Sequence, residues 1–377
     1  MILAWLLVAL ALWTAESRAV EPWQWTPPST NEMRDLATFL DPHRTELNLP
    51  ALAAVIVRSN EVVAAGVAGV RKSGSSPSVT LQDRFHFGSC TKSMTALLAV
   101  ELQREGKINL TNTVGELFPD WDLDAAARSI TLENLLQNRS GLAHSPPPAA
   151  WDRAWQASGT PSEQRIAFLR DVLREPIEAP PGTKYIYSNT GFALAGAMLE
   201  KRLGIPWEKL VADRIFGPLG LKTAGFGAPT TAGPEQPWGH QYRDGSLLLI
   251  DPSDNPPAIA PGAAVHLSVL EAARYAAFHL AIFNGDVAVL KPYRTALYTP
   301  PDGSDYALGW MVQKRSWADG AVLFHTGSNT MFFTVIWIAP HRRFACVVMT
   351  NVGDKAGEVT AGKCDKVVEA LIREFLR

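Results

Sequence analysis

The apolar positions of this chain fall in short β-type runs towards its two ends and at helical spacing through its middle. Ala51 to Val57 and Val62 to Val70 are Val-rich runs separated by Arg58-Ser59-Asn60-Glu61, a pattern that predicts a β-hairpin. Strand character returns at Tyr306 to Gln313, Ala321 to His325, Phe332 to Ile338 and Phe344 to Asn351, with Pro340-His341-Arg342-Arg343 as a turn between the last two. Asn31 to Leu47 predicts a helix, and Arg71 to Asp83, rich in Gly, Ser and Pro, predicts a loop. From Ser89 onwards, Met94, Leu97, Leu98 and Leu102 repeat at helical spacing until Gly106. Leu132 to Gln137, Gln164 to Leu173 and Gly191 to Leu203 predict further short helices. The last helix, Val359 to Phe375, carries Val367, Val368, Leu371, Ile372 and Phe375 on one face.

Strands contributed by both chain ends, with helices between them, predict an α+β fold. One antiparallel sheet is assembled from both termini with flanking helices, and a mostly helical subdomain, about residues 107–261, is inserted beside it. The cleft where the two parts meet is the expected place for a small-molecule site. No internal repeat is visible, and residues 20–377 read as a single catalytic domain.

Composition narrows the class. The chain has 377 residues, 47% hydrophobic and 19% charged, which suits a folded enzyme and excludes a disordered or collagen-like chain. A formal net charge of -2 gives no electrostatic reason to expect nucleic acid as a partner. Met1 to Trp13 is an unbroken apolar run, too short to cross a bilayer core of roughly 30 Å as a helix. It suits the centre of a secretory signal over residues 1–19, with Ser17-Arg18-Ala19 supplying small residues for cleavage. No Lys or Arg precedes the run, so a buried N-terminal helix or a membrane-surface anchor stays open as the alternative. The expectation is export to the periplasm or the medium, with no stable membrane span after signal removal. Cys90, Cys346 and Cys364 form no disulfide framework and match no zinc spacing. Cys346 and Cys364 could pair in an oxidising compartment, although Cys346 lies in a strand-like run that suits a small buried apolar residue.

Three stretches carry chemistry. In Phe87-Gly88-Ser89-Cys90-Thr91-Lys92-Ser93-Met94-Thr95, Ser89 opens a helix and Lys92 lies three residues on, on the same face. A helix N-terminus favours the negative charge that develops in acyl transfer, and a semi-buried Lys can lose its proton and take one from the serine. S-x-x-K alone arises roughly once by chance in a chain this long, and a plain helix cap explains it equally well. The apolar strand-like Phe85-His86-Phe87 and Gly88 before Ser89 make the context more specific. Tyr187-Ser188-Asn189 offers a phenol that can relay protons if adjacent positive charge lowers its pKa, and an amide that can hold a substrate carbonyl and the Lys side chain. The plainer alternative is a packing tyrosine. His325-Thr326-Gly327-Ser328 ends a strand-like run and could line a cleft, although a lone His on a strand is more often structural.

In this order and at these separations the three motifs resemble the penicillin-recognising serine hydrolases, the superfamily of class C β-lactamases, D-alanyl-D-alanine carboxypeptidases and related esterases. Its marks are S-x-x-K, Y-x-N and K-T-G or H-x-G on a sheet strand. Ile130-Thr131-Leu132-Glu133-Asn134-Leu135-Leu136 leading to Ser140-Gly141-Leu142, Pro181-Gly182-Thr183-Lys184-Tyr185, and Leu308-Gly309-Trp310 look like the same family, over roughly residues 35 to 375. The resemblance implies a β-lactamase/transpeptidase-like fold with Ser89 as nucleophile and Lys92 with Tyr187 as the general acid/base pair. Asn189 would orient Lys92 and the substrate, and the backbone N–H groups of Ser89 and Ser328 would form the oxyanion hole. His325, Thr326, Gly327 and Ser328 would bind substrate along their strand. No metal or organic cofactor is implied. Two positions depart from the pattern: His325 stands where the typical β-lactamase has Lys, and Met331 where many relatives have Gly.

The expected activity is therefore hydrolysis of an ester, amide or small peptide through an acyl-enzyme, esterase-like or D-amino-acid-peptidase-like, with weak β-lactamase action possible. The competing reading is a non-catalytic penicillin-binding-type sensor or scaffold. Substrate choice would depend on the loops Ala143 to Ser158 and Gly225 to Pro257, where Trp151, Trp155 and Trp238 lie. Oligomeric state stays open.

Overall fold

The computed structural model describes residue 25, residues 33–232 and residues 235–376, so the expected export signal falls outside the described residues. A seven-stranded sheet forms the centre. Its members are β1 (Arg34–Asp35), β2 (Ala51–Arg58), β3 (Glu61–Gly69), β9 (Met311–Arg315), β10 (Gly320–Ser328), β11 (Phe333–Ala339) and β12 (Phe344–Thr350), in the spatial order β1-β3-β2-β12-β11-β10-β9. Both chain ends thus build one sheet, joined where β12 pairs with β2 and Cys346 lies opposite Ile56. All neighbours are antiparallel except β1 and β3.

Both faces of the sheet are covered, which explains why β2 reads as a continuous apolar run rather than an alternating one. Ala51, Ala53, Val55 and Val57 face the larger core. That core also holds apolar side chains of α2 (Thr91–Arg104), α4 (Asn189–Leu203) and α5 (Val269–Asn284). Leu52, Ala54 and Ile56 face a second cluster with Leu36, Leu40, Val367, Val368 and Leu371, provided by the chain around α1 (Ala37–Glu46) and by α6 (Glu358–Phe375).

Helices beside the sheet come from the middle of the chain, among them α3 (Pro161–Val172), whose N-terminus is closed by a capping box between Thr160 and Glu163. The middle segment is less purely helical than its sequence predicts. Its second half carries β5 (Gly225–Phe226) and the hairpin β6 (His240–Arg243) and β7 (Ser246–Leu249). Strand β5 joins β4 (Arg84–His86) and β8 (Val265–Ser268), and β6 pairs with β13 (Val352–Asp354).

Two boundaries differ most from the sequence reading. The helix expected from Asn31 starts at Ala37, because Arg34–Asp35 pair with Ala64–Ala65 and the Asp35 carboxylate accepts the Ala37 N–H. The strand expected from Tyr306 starts at Met311, because Gly309 turns the chain with a φ of +71° and leaves Tyr306 only an isolated bridge to Met311. Cys346 and Cys364 are both buried free thiols in the second cluster, so the apolar role holds and the pairing does not.

Candidate active site

Strand β4 leads into Gly88, whose φ of +52° starts a short 3₁₀ turn, Gly88–Cys90, before α2 begins at Thr91. Ser89 therefore sits in the turn that feeds the helix, two residues before the α-helix proper. The turn abuts the end of β10 with no room for side chains. A Cβ on Gly88 would lie 2.3 Å from the Ser328 nitrogen, and a Cβ on Gly327 would lie 2.0 Å from the Phe87 carbonyl oxygen and 2.8 Å from the Ser89 nitrogen. Two glycines thus let the backbone nitrogens of Ser89 and Ser328 lie side by side.

The other wall is the start of α4. The Ser188 hydroxyl caps that helix by accepting the Gly191 N–H and donates to the Ala143 carbonyl, while the Ser188 N–H donates to the Asn138 side chain. This pins the segment that presents Tyr187 and Asn189. Opposite, the Pro261 carbonyl accepts from Thr95 at 2.6 Å and Pro261 packs against Gly196, which fixes Gly262 beside α2.

These elements converge on the Lys92 amine. Lys92 is wholly buried, and its Nζ lies 3.1 Å from Ser89 Oγ, 2.6 Å from Asn189 Oδ1 and 2.9 Å from the Gly262 carbonyl oxygen. Burial pushes its pKa down from 10.5 to about 7, with a small opposing effect of Cys90. A neutral amine has two N–H donors and one lone pair. Asn189 Oδ1 and the Gly262 carbonyl take the donors, so the lone pair is left for the Ser89 hydroxyl. Tyr187 donates its hydroxyl to Ser89 Oγ at 2.6 Å. A continuous line of hydrogen bonds therefore runs from Tyr187 through Ser89 to Lys92.

The tyrosine differs from expectation in one respect. Burial raises the Tyr187 phenol well above its ordinary 10, and the hydrogen bond to Ser89 only partly offsets this. Lys92 does not lower it, because the amine that would supply the charge is itself driven neutral. At neutral pH Tyr187 keeps its proton and offers it to Ser89, and Lys92 is the neighbouring group whose lone pair can accept one.

Of the third motif, Gly327 and Ser328 line the site through their backbone and the Thr326 side chain is exposed. The His325 ring is turned inward. It is 4% exposed, with Nδ1 2.6 Å from the Thr326 carbonyl oxygen and Nε2 3.1 Å from the Tyr306 hydroxyl. Burial and the neighbouring Lys92 hold it neutral, with a pKa near 3. Both ring nitrogens are used inside the protein, so the direct hydrogen bond expected from His325 to substrate has no free ring atom to supply it. Met331 is buried against Gly239 and Ser253 rather than standing in the open cleft.

Beside Asn189 opens a cavity of about 400 Å³ lined by His144, Pro146, Trp151, Asp152, Asn189 and Ile259. Trp151 thus forms a wall of the cleft. Trp155 is largely exposed, and Trp238 lies under the Lys72 ammonium, 3.7 Å from its ring centre. Gly262 is the residue of the amine's shell that sequence reasoning missed. Nothing in its local pattern marks a carbonyl that meets a side chain 170 positions away.

An antiparallel-rich α+β fold with a serine held between a buried neutral amine and a phenol defines a site of the serine-hydrolase type. The chain belongs to the Beta-lactamase family, whose family model matches residues 36–363. Members of this family are usually serine hydrolases. Penicillin-binding protein 4 of Amycolatopsis lactamdurans is 24% identical over 334 residues, covering 83% of this chain and 84% of that protein. Protein flp of Staphylococcus aureus (strain MW2) is 20% identical over 333 residues, covering 87% of this chain, and the chain spans only 64% of the length of flp. The crystal structure of a D-stereospecific amidohydrolase from Streptomyces sp. superposes with a TM-score of 0.62 at 24% identity, covering 81% of this chain and 90% of that one, a likeness of fold. Among the described residues no helix is long and apolar enough to cross a membrane.

Proposed function

We propose that the protein is an exported hydrolase that forms an acyl-enzyme on Ser89 with small ester, amide or peptide substrates. The observation that carries the reading is the saturated shell of Lys92: two oxygens take its N–H groups and the third neighbour is the Ser89 hydroxyl. In the reading, the Ser89 proton passes to Lys92 Nζ as Oγ bonds to the carbonyl carbon. The oxyanion is received by the Ser89 and Ser328 N–H groups. Collapse of this intermediate breaks the bond to the leaving group, which takes the Tyr187 proton, and Tyr187 is reprotonated from Lys92. Water then repeats the sequence on the ester, releasing the acid and restoring Ser89.

The cavity beside Asn189 has an aromatic wall, Trp151, and room for a modest acyl or amino-acid side chain. The named D-stereospecific amidohydrolase, which shares the fold, supports the amide and D-amino-acid side of the range. A neutral, inward-turned His325 in place of a lysine cation argues for weak action on β-lactams, whose carboxylate would find no ammonium there.

The test is a fluorophosphonate probe with peptide mapping, run beside a panel of short aryl esters, nitrocefin and D-Ala-D-Ala peptides. We expect label on Ser89 and turnover of at least one ester or amide, both lost in Ser89→Ala. Absence of label on Ser89, or full turnover by Ser89→Ala, overturns the reading. Permanent acylation without turnover would favour the sensor alternative.

A further inference from the structure

The two backbone turns that carry the Ser89 and Ser328 N–H groups are tied to one largely buried carboxylate. The Gly88 N–H, next to Ser89, donates to His86 Nδ1 at 3.0 Å, and His86 Nε2 lies 2.9 Å from Asp254 Oδ2. Because Nδ1 accepts from a backbone donor, the proton of a neutral His86 must sit on Nε2 and point at Asp254. The other oxygen, Asp254 Oδ1, accepts from Asn329 Nδ2 at 3.1 Å. Asn329 follows Ser328, and its own Oδ1 accepts the Met331 and Phe332 N–H groups at 3.2 and 3.0 Å, which fixes which end of the amide faces Asp254. His86 is completely buried, Asn329 is 3% exposed, and the Asp254 side chain is 9% exposed. None of the three touches Ser89, Lys92 or Tyr187 in the hydrogen-bond network above.

We propose that Asp254 is a positioning residue that clamps the oxyanion pocket, holding the Gly88–Ser89 turn through His86 and the Ser328–Asn329 turn through Asn329. The role rests on the hydrolase reading. Its physical basis is donor and acceptor count. Asp254 faces two donors, so it must be acceptor on both sides, which a carboxylate supplies and an amide does not. Asp254→Asn turns an N–H₂ towards either His86 Nε2–H or Asn329 Nδ2, and one link breaks. The pocket then loses the fixed spacing of two donors that must meet an oxygen within hydrogen-bonding distance.

The same count supplies the decisive variant. In Asp254→Asn/Asn329→Asp the new amide oxygen accepts from His86, and the new amide N–H donates to a carboxylate at 329. That carboxylate still accepts from Met331 and Phe332, so every bond is restored with the charge moved to the other partner. The experiment compares wild type, Asp254→Asn and the exchanged pair for kcat and KM on the best ester and for the affinity of an arylboronic acid, which binds Ser89 as a tetrahedral adduct. Expected is a kcat loss of about 10- to 100-fold in Asp254→Asn with KM within about threefold, boronate affinity falling with kcat/KM, and recovery to within about threefold in the exchanged pair.

Hydrogen exchange over residues 84–94 and 325–334 reads the clamp without turnover and is expected to quicken in Asp254→Asn alone. Unchanged kcat and unchanged exchange in Asp254→Asn overturn the clamp, as does a loss that the exchanged pair fails to restore while thermal unfolding shows it folded. An inert wild type would instead overturn the hydrolase reading, and the exchange data would still decide the clamp.

Discussion

Lys92 Nζ lies 3.1 Å from Ser89 Oγ, and its two other neighbours, Asn189 Oδ1 and the Gly262 carbonyl, can only accept hydrogen bonds. Three acceptors can hold an ammonium as well as an amine, so solvation is what selects the neutral form. Full burial removes the hydration an ammonium needs. In the neutral form the Lys92 lone pair faces the proton Ser89 has to give, while Ser89 Oγ receives the Tyr187 hydroxyl.

Activity should follow the free base of Lys92. With its pKa pushed down to about 7, kcat/KM is expected to rise across pH 6 to 8 and level off above, far below the range of a free lysine. A pH–rate profile checks this, and a flat profile would contradict it. Lys92→Arg should lose at least about a thousandfold, since a guanidinium keeps its proton throughout this range.

The same shift predicts a pH dependence of stability. Between pH 7 and 10.5 the unfolded chain holds a proton on Lys92 that the folded chain has released. The unfolded state binds more protons, so stability from this group rises with pH in that window, by up to about 1.4 kcal/mol per pH unit. Urea unfolding of wild type and Lys92→Met at pH 7.5 and 9.5 should show the wild type gaining relative to the variant. Parallel changes in the two would reject the assignment.

Asn189→Asp places a carboxylate 2.6 Å from the amine. An opposite charge at that distance favours the ammonium, so the Lys92 pKa should rise. The expected result is at least a tenfold loss at pH 7 with partial recovery towards pH 9, read from the shift of the pH–rate profile.

Gly327→Ala tests the contact between the two backbones. The new Cβ would fall 2.0 Å from the Phe87 carbonyl oxygen and must push the Ser89 turn away from Ser328. Loss of one oxyanion donor typically costs about 10²–10³ in kcat, and a loss of that size is expected here in protein whose circular dichroism shows it folded.

Away from the site, Arg165 has no exposed surface and bridges Glu200 and, at 2.6 Å, Glu208. Glu200 also accepts from Ser162 and from the Trp207 N–H, so this ion cluster ties α3 to α4 and to the segment that follows. Arg165→Met strands two carboxylates and should cost about 3–5 kcal/mol in urea unfolding, with kcat of the surviving folded protein little changed.

Local pattern made much of this protein readable. The β2–β3 hairpin, β10 to β12, α2 and α6 follow from apolar periodicity and turn residues, all properties of neighbours in the chain. Ser89 and Lys92 are legible for the same reason: three residues on one turn meet whatever the rest of the fold does. The wall of the site was legible only as separate motifs, because Asn189 reaches Lys92 across 97 positions and Gly262 across 170. A carbonyl leaves no trace in residue type, so Gly262 had no signal, and Asp254 lies in a Pro-containing loop with no period at all. His325 was visible as a residue but not as an orientation, since only Tyr306 and the surrounding burial turn its ring inward. The sequence by itself thus determined which groups exist and which lie on one helical turn. The charge on Lys92, the donor role of Tyr187 and the spacing of the two N–H groups were decided by tertiary structure, because desolvation and hydrogen-bond count depend on atoms that only folding brings together.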